Sequence, residues 1–496
     1  VFRSDTVSRT CMYGALRNAY QPDRVFTGVT VRTCNLKKHA HRQALLFIVT
    51  RCLCLKSRQT HKNNNKPITN DPSLLRGENG MAFKLRKKAL VGLFTAGAMV
   101  YAGAAASGEI ILQGFHWHSK WGGNNQGWWQ VMEGQANTIA NAGFTHVWFP
   151  PVHNSADAEG YLPRELNNLN SSYGSEAQLR SAIQALNNRG VHAIADVVMN
   201  HRVGCSGWAD FCNPDWPTWY IVANDSWPGG PKSQNWDTGE TYHAARDLDH
   251  ANPQVRNDIS HYLNSRLKDV GFSGWRWDYA KGFWPGYVGE YNWNTNPNFC
   301  VGEVWDDLDP NNPNPHRQQL VDWVDATGGS CHVFDFTTKG LTNYALQHGQ
   351  YWRLQGDNGG PAGGIGWWPQ RMVTFVDNHD TGPSNHCGDG QNLWPVPCDK
   401  VMEAYAYILT HPGVPSVYWT HFFNWNLGSE ISQLMQIRKN QGVHSGSDVW
   451  IAEARHGLYA AYINGNVAMK MGWDNWSPGW GWSLAASGNN WAVWTR

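Results

Sequence analysis

Short apolar runs that read as β-strands alternate along this chain with longer stretches of helical spacing. The strand-like runs fall at 110–115, 145–151, 191–198, 271–278, 299–304, 372–376 and 414–418. Helical spacing fills 128–142, 175–188, 253–270 and 402–410. A strand that leads through a helix to another strand of the same direction builds a parallel sheet. Sustained over this length, the repeat predicts an α/β fold of the eight-stranded TIM-barrel kind, (β/α)8, over 107–443, rather than an open doubly wound sheet. No glycine-rich phosphate loop follows the first strand, which counts against a dinucleotide fold. Between 201 and 242, after the third strand, lies an irregular excursion rich in Trp, Pro, Gly and Asp. A loop that long inside a compact domain is usually functional, so it is read as an inserted loop domain. From 444 the pattern changes to short strands without helices, at 449–453, 458–463, 467–471 and 491–494. This predicts a small C-terminal antiparallel β-sheet domain over 444–496.

The first hundred residues read differently. Residues 1–80 are rich in Arg, Lys, Asn and Gln and hold no sustained period. At Met81 the character changes. Lys84, Arg86, Lys87 and Lys88 form a positive segment, 89–100 an apolar one, and Ala104, Ala105 and Ala106 a small-residue cleavage site. This is the pattern of a secretory signal peptide over 81–106, too short to span a bilayer. A signal peptide begins a chain, so the expected start is Met81, with 1–80 a non-native upstream extension and the mature protein extracellular.

A net charge of +1 gives no electrostatic case for nucleic acid or an anionic membrane as partner. The 29 tryptophans fit either a well-packed core or flat faces that stack on sugar rings. Cys11, Cys34, Cys52 and Cys54 lie in the first eighty residues and six more from Cys205 onward, with no zinc-type spacing among the six. In an exported protein those six would form disulfides.

Four strand ends carry polar clusters: Asp196, Asn200 and His201; Arg276 and Asp278; Glu303; and Asp377, Asn378, His379 and Asp380. Each alone is also what a helix cap or turn looks like. In a parallel barrel, however, all these ends open on one face, where the active site sits. Arg276 and Asp278 are two apart on a strand and share a face, so the guanidinium is expected to hold the carboxylate ionised at low pH. Glu303 has the apolar neighbours Val301, Gly302, Val304 and Trp305, which suit a carboxyl that keeps its proton. One carboxylate and one carboxylic acid are what glycoside hydrolysis requires. Asp380, beside His379, would stabilise positive charge on the sugar.

The segments DVVMNH at 196–201, GWRWD at 274–278, VGEVW at 301–305 and FVDNHD at 375–380 resemble the four ordered sequence regions of the α-amylase family, glycoside hydrolase family 13. The similarity runs from about residue 108 to the end and is nearest to plant-type α-amylases and their secreted bacterial relatives, including maltotetraose-forming enzymes. EGYLP at 159–163, Lys281-Gly282 and 404–412 also match. The resemblance implies Asp278 as nucleophile, Glu303 as general acid/base and Asp380 as transition-state stabiliser. It implies that Arg276 holds Asp278, that His201 and His379 bind hydroxyls of the central sugar and Tyr161 stacks on it, and that Lys281 and Trp305 line the leaving-group side. It also implies Ca2+ between the barrel and the excursion, at Asn200, Asp237 and Asp247 with backbone carbonyls near Glu240 and Gly282. Oxygen donors from scattered loops suit that hard cation. Cys300 and Cys331 sit where related enzymes have a disulfide; Cys205 with Cys212, and Cys387 with Cys398, are pairings by proximity.

Trp277 and Tyr279 depart from the family's usual smaller residues, with packing under the nucleophile as the point at issue. The segment 152–159 is short, whereas maltotetraose-forming relatives carry a longer insertion there. An open cleft favours internal cleavage. The expected activity is therefore that of a secreted, monomeric endo-α-amylase acting on starch and malto-oligosaccharides with retention. A maltotetraose-type exo-amylase and a non-catalytic glucan-binding protein are the alternatives.

Overall fold

The computed structural model of the chain describes residues 108–121 and 127–496. The expected extension 1–80 and signal peptide 81–106 lie outside these. Eight parallel strands close on themselves: β1 (Ile111–Gln113), β2 (His146–Trp148), β3 (His192–Val197), β4 (Gly274–Trp277), β5 (Phe299–Gly302), β6 (His332–Phe334), β7 (Met372–Phe375) and β8 (Val414–Tyr418). Each pairs with its neighbour in sequence, and β1 pairs with β8 to complete the ring. Helices follow each strand: α1 (Trp128–Gly134) and α2 (Ala136–Ala142), α3 (Glu176–Asn187), α4 (Pro253–Tyr262), α5 (Gly286–Thr295), α6 (Asn314–Ala326), α7 (Phe336–His348), α8 (Val401–Thr410) and α9 (Gly428–Asn440).

Local chemistry sets several of these boundaries. Ser175 and Gln178 form a reciprocal capping box that starts α3. Asn252 caps α4 with Pro253 in its first turn. Asp335 caps α7 by accepting from the Thr338 N–H, and it also takes the N–H groups of Gly364 and Ile365. The helix expected over 128–142 is broken at Gln135, whose N–H is shared between the Val131 and Met132 carbonyls. The helix expected over 253–270 loses its α geometry after Tyr262, where the Lys268 N–H reaches back five residues to the Leu263 carbonyl.

Strand β6 and helices α5, α6, α7 and α9 are not among the elements expected from the sequence, although α6 and α9 bury Leu320, Trp323 and Val324, and Ile431, Leu434 and Met435, at helical spacing. Helix α7 buries Thr337, Thr338, Lys339, Thr342 and Asn343 as well as its apolar side chains, so it shows no polar face.

The C-terminal strands β9 (Val449–Arg455), β10 (Leu458–Ile463), β11 (Val467–Met471), β12 (Ser483–Gly488) and β13 (Trp491–Thr495) form one antiparallel sheet in the order β9–β10–β11–β13–β12. One register row, Ile451, Ala461, Met469, Val493 and Ala486, is buried. The sheet packs on α8, where the Tyr459 hydroxyl lies 2.8 Å from His411 Nε2. Cys205–Cys212, Cys300–Cys331 and Cys387–Cys398 are bonded. Among the described residues, no helix is long and apolar enough to cross a membrane.

Helix α9 is tied to the barrel by a buried cation that has no anion beside it among the described residues. Arg438 donates to the carbonyls of Leu409, His411 and Gly413, which close α8 and lead into β8. Burial pushes its pKa down to about 9. Arg438→Met would strand three buried acceptors. It is expected to lower unfolding free energy by about 2–3 kcal/mol, read as a lower urea midpoint with an unchanged m-value.

Candidate active site

The C-terminal ends of the barrel strands converge on Arg276. Its position follows from sheet register: in β4 it lies directly opposite Asp196 of β3 on one side and Val301 of β5 on the other. Arg276 Nη1 donates to Asp196 Oδ1 at 2.7 Å and to Asp278 Oδ1 at 2.8 Å. Nη2 lies 2.7 Å from Glu303 Oε1, an ion-pair contact without hydrogen-bond alignment. One fully buried guanidinium therefore joins three carboxylates from three strands.

Asp196 is held in turn by Trp148 Nε1 (3.1 Å) and the Tyr161 hydroxyl (3.0 Å). Because Tyr161 gives its one proton to Asp196, it must accept from His379 Nε2, 2.7 Å away. His379 Nδ1 then accepts from Gln113 Nε2 at 2.9 Å. That places the imidazole in its neutral Nε2–H form. Burial, followed by the charge of Arg276, also holds its pKa well below the usual range.

The cleft above this layer has a volume of about 300 Å³ and is lined by Tyr161, Asp278, Lys281, Glu303, Trp305, His379 and Asp380. All seven were singled out in the sequence. Trp117, Tyr242, Tyr279 and Gln391 complete the wall. Of these, Tyr279 was noted only as a packing departure. The other three lie in loops with no periodicity to mark them.

Tyr279 takes the left-handed backbone conformation (φ 45°), uncommon for a bulky residue. The turn aims its N–H at Glu303 Oε2, 3.1 Å away. Trp275 and Trp277 point to the opposite face of β4 from Arg276 and Asp278. Trp277 stacks on Tyr291 of α5 at 5.2 Å, so it fills the barrel-to-helix layer and leaves the cleft untouched.

His201 is placed behind the cleft wall. It is fully buried, its Nε2 donates to the Tyr161 carbonyl at 2.8 Å, and its ring stacks on Tyr242 at 3.9 Å. Its contacts therefore position two cleft rings. Lys281 bridges Asp306 (2.5 Å) and Glu240 (2.9 Å), while Trp305 stacks in parallel with Phe336 and Trp394.

Burial changes the electrostatic reading of the carboxyl groups. Arg276 does pull the Asp278 pKa down, but desolvation pushes it up by more, and the net direction is up. The expectation that Asp278 stays ionised at low pH is corrected accordingly, since sequence spacing shows the partner and not the loss of water. Glu303 is also raised, first by burial, with Asp278 adding to the effect and Arg276 and the Tyr279 N–H opposing it. Its surroundings are polar, and its desolvation, rather than apolar sequence neighbours, favours the proton. Asp380 is raised well above the ordinary range by burial and then by Glu303.

The excursion after β3 is pinned by a buried ion pair, Asp225–Arg246 at 2.7 Å, and by a two-residue ribbon between His201–Arg202 and Arg246–Asp247. This brings the expected metal ligands to one place. Asn200 Nδ2 donates to Asp247 Oδ1 at 3.2 Å, and a Cβ on Gly282 would collide with Asn200 Oδ1. Asp237 lies near enough to raise the Asp247 pKa, after burial, to about 8; its own is pushed up to about 6 by burial. Asp237 Oδ2 is buried without a hydrogen-bond partner. The Glu240 carboxylate turns to Lys281, and its N–H donates to the Lys281 carbonyl at 3.0 Å. Among the described residues no three His, Cys, Asp or Glu side chains gather as a metal cage.

Comparison with known proteins agrees with this arrangement. The family model for the alpha amylase catalytic domain matches 119–291, and that for the alpha-amylase C-terminal beta-sheet domain matches 440–495. A probable alpha-amylase 2 of Arabidopsis thaliana is 42% identical over 401 residues, covering 78% of this chain and 94% of the relative.

The chain belongs to the α-amylase family.

A glucan 1,4-alpha-maltotetraohydrolase of Stutzerimonas stutzeri is 35% identical over 71% of this chain and 65% of that enzyme. The fold of a Geobacillus thermoleovorans α-amylase crystallised with acarbose superposes with a TM-score of 0.54 at 16% identity, over 74% of this chain and 86% of that one. With the family's carboxylates buried together, the acid limb of kcat/KM against pH is expected above about 4, where an exposed aspartate titrates. Both limbs would be properties of the cluster rather than of one residue. A rate that holds level below pH 4 would contradict this.

Proposed function

We propose that the protein is an endo-acting α-amylase that hydrolyses internal α-1,4-glucosidic bonds of starch and malto-oligosaccharides with retention at the anomeric carbon. The observation that carries this reading is the grip of one guanidinium on both Asp278 and Glu303. Held by one fork, the two carboxyl groups face the same cleft, which supports their reading as the nucleophile and acid of a retaining pair.

In the first step Glu303 gives its proton to the glycosidic oxygen, and the leaving chain departs with it. Asp278 Oδ1 is engaged by Arg276, so Oδ2 attacks the anomeric carbon and forms a glycosyl ester. In the second step ionised Glu303 takes a proton from water, whose oxygen displaces Asp278. Asp380 faces the positive charge that develops on the sugar in both steps. The Tyr161 ring offers a stacking face, His379 Nε2–H holds the Tyr161 hydroxyl in place, and Lys281 with Trp305 offers a wall for the leaving chain. His201 acts indirectly, through Tyr161 and Tyr242. The intact acid pair speaks against a silent glucan-binding protein. Asp278→Asn is expected to cut kcat by about three orders of magnitude or more while starch binding persists, as measured by turnover alongside affinity electrophoresis.

The donor set between barrel and excursion fits Ca2+. Asp237 Oδ2 lacks a partner, Asp237 and Asp247 repel one another, and the Asn200 amide and backbone carbonyls near Glu240 and Gly282 complete an all-oxygen group. A cation there would neutralise the aspartates and fasten the excursion that carries Tyr242 to the barrel. The similarity to a maltotetraose-forming enzyme keeps the exo-acting alternative in view. A product time course on soluble starch, with and without a chelator, tests both points. Mixed oligosaccharides from the outset support endo action, and one short product from the start supports the alternative. The chelator is expected to lower the melting temperature of the parent and to have little effect on Asp237→Asn.

The signal-peptide pattern and the three disulfides support export to an oxidising compartment. N-terminal sequencing of the mature protein is expected to read from just after Ala106. A start upstream of Met81 would overturn that reading.

A further inference from the structure

The loop that follows Asp380 has no regular secondary structure from 376 to 397, yet it delivers Gln391 to the cleft and packs Trp394 beside the cleft residue Trp305. Gln391 Nε2 donates to Asp380 Oδ1 at 2.8 Å, and the Trp394 ring lies parallel to that of Trp305. The loop is held at both ends. At its base, Asn424 Nδ2 and Trp425 Nε1 donate to the carbonyls of Ser384 and Asn385, while Asp389 accepts from the Ser384 and Asn385 N–H groups. Its return is fastened by the Leu393 N–H to the Asp380 carbonyl and the Trp394 N–H to that of Thr381. The Cys387–Cys398 disulfide spans the stretch containing Gln391. Between the cysteines, Gly388 (φ 88°), Gly390 (φ 76°) and Asn392 (φ 51°) adopt left-handed backbone, the conformation that Gly and Asn accommodate best.

We propose that Gln391 is a positioning residue for Asp380, and that the Cys387–Cys398 bond holds it there. The inference rests on the role of Asp380 in the proposed hydrolysis.

The physical reason is charge. Asp380 shares its pocket with Asp278 and Glu303, and the cation acting on it, Arg276, is already engaged by three other carboxylates. His379 Nε2 lies 3.3 Å from Asp380 Oδ2, but that imidazole is neutral. Tyr161, which borders the same pocket, is neutral as well. An ionised Asp380 therefore depends on hydrogen-bond donors, and Gln391 supplies one with no charge of its own. Cys387 is solvent-exposed, whereas Cys300 and Cys331 are buried, so this support is open to reductants.

The test compares Gln391→Glu, Gln391→Met and Cys387→Ser/Cys398→Ser with the parent and with Asp380→Asn. Gln391→Glu keeps the shape of the side chain but replaces the donor with a second acceptor. It is expected to lower kcat about ten- to a hundredfold, the size of one hydrogen bond to a charged group, and to move the acid limb of kcat/KM up by about one pH unit. Gln391→Met should lie between it and the parent, and it provides the reading if the Glu variant does not fold. The double serine variant should show a smaller loss of kcat with the same direction of pH shift, while Cys205→Ser/Cys212→Ser leaves the profile in place. Parent-like kcat and pH profile in Gln391→Glu would overturn the proposal, and a parent-like double serine variant would overturn the role of the disulfide. An active Asp380→Asn would instead refute the underlying assignment, so the two failures are distinguishable.

Discussion

The buried guanidinium of Arg276 is the interaction on which the rest of the site depends. Its three carboxylate partners come from β3, β4 and the end of β5. A single cation cannot neutralise Asp196, Asp278, Glu303 and the nearby Asp380 together, and burial raises the pKa of all four. Breaking such a buried pair leaves an uncompensated charge, which costs several kcal/mol. The arrangement crowds four acidic groups around one cation at the cleft. A sugar that becomes positive as its bond breaks supplies the counter-charge that the resting protein lacks.

The barrel makes this concentration of charge possible. Parallel strands bring residues distant in sequence to the same end of the sheet, and register decides which of them meet. Asp196 and Arg276 are direct cross-strand partners, so their ion pair follows from strand alignment and needs no loop to arrange it. The loops then contribute what the strands cannot: flat rings from Tyr161 and Tyr242, and the donor from Gln391. The antiparallel sheet behind α8 takes no part in the cleft and fixes the far side of the barrel.

What the sequence made legible was the set of strand ends, because polar residues that interrupt apolar runs stand out against strand periodicity. Seven of the eight barrel strands fall in the apolar runs read from the sequence; β6 (His332–Phe334) does not. Arg276 and Asp278 were readable as a pair because strand side chains alternate. The direction of the Asp278 pKa was not, since desolvation depends on residues hundreds of positions away. His201 belongs to a recognisable motif, yet its contacts place it behind Tyr242, and only the three-dimensional path of the excursion decides that. Gln391 and Trp117 had no signal, because loop residues acquire meaning only from what they touch.

Every barrel strand pairs with its neighbours in the chain except at one seam, where β1 meets β8. Seven of the eight contacts therefore close loops far shorter than the eighth, which joins the two ends of the catalytic portion and carries the largest loop-closure entropy. Until β8 is in place, β1 and β7 present open edges, the feature of β-structure most prone to pairing with another chain. Strand β8 is followed by α9, whose Arg438 ties it to the residues that precede that strand. The end of the barrel is thus cross-braced at the point where an unfinished ring would be most exposed to self-association.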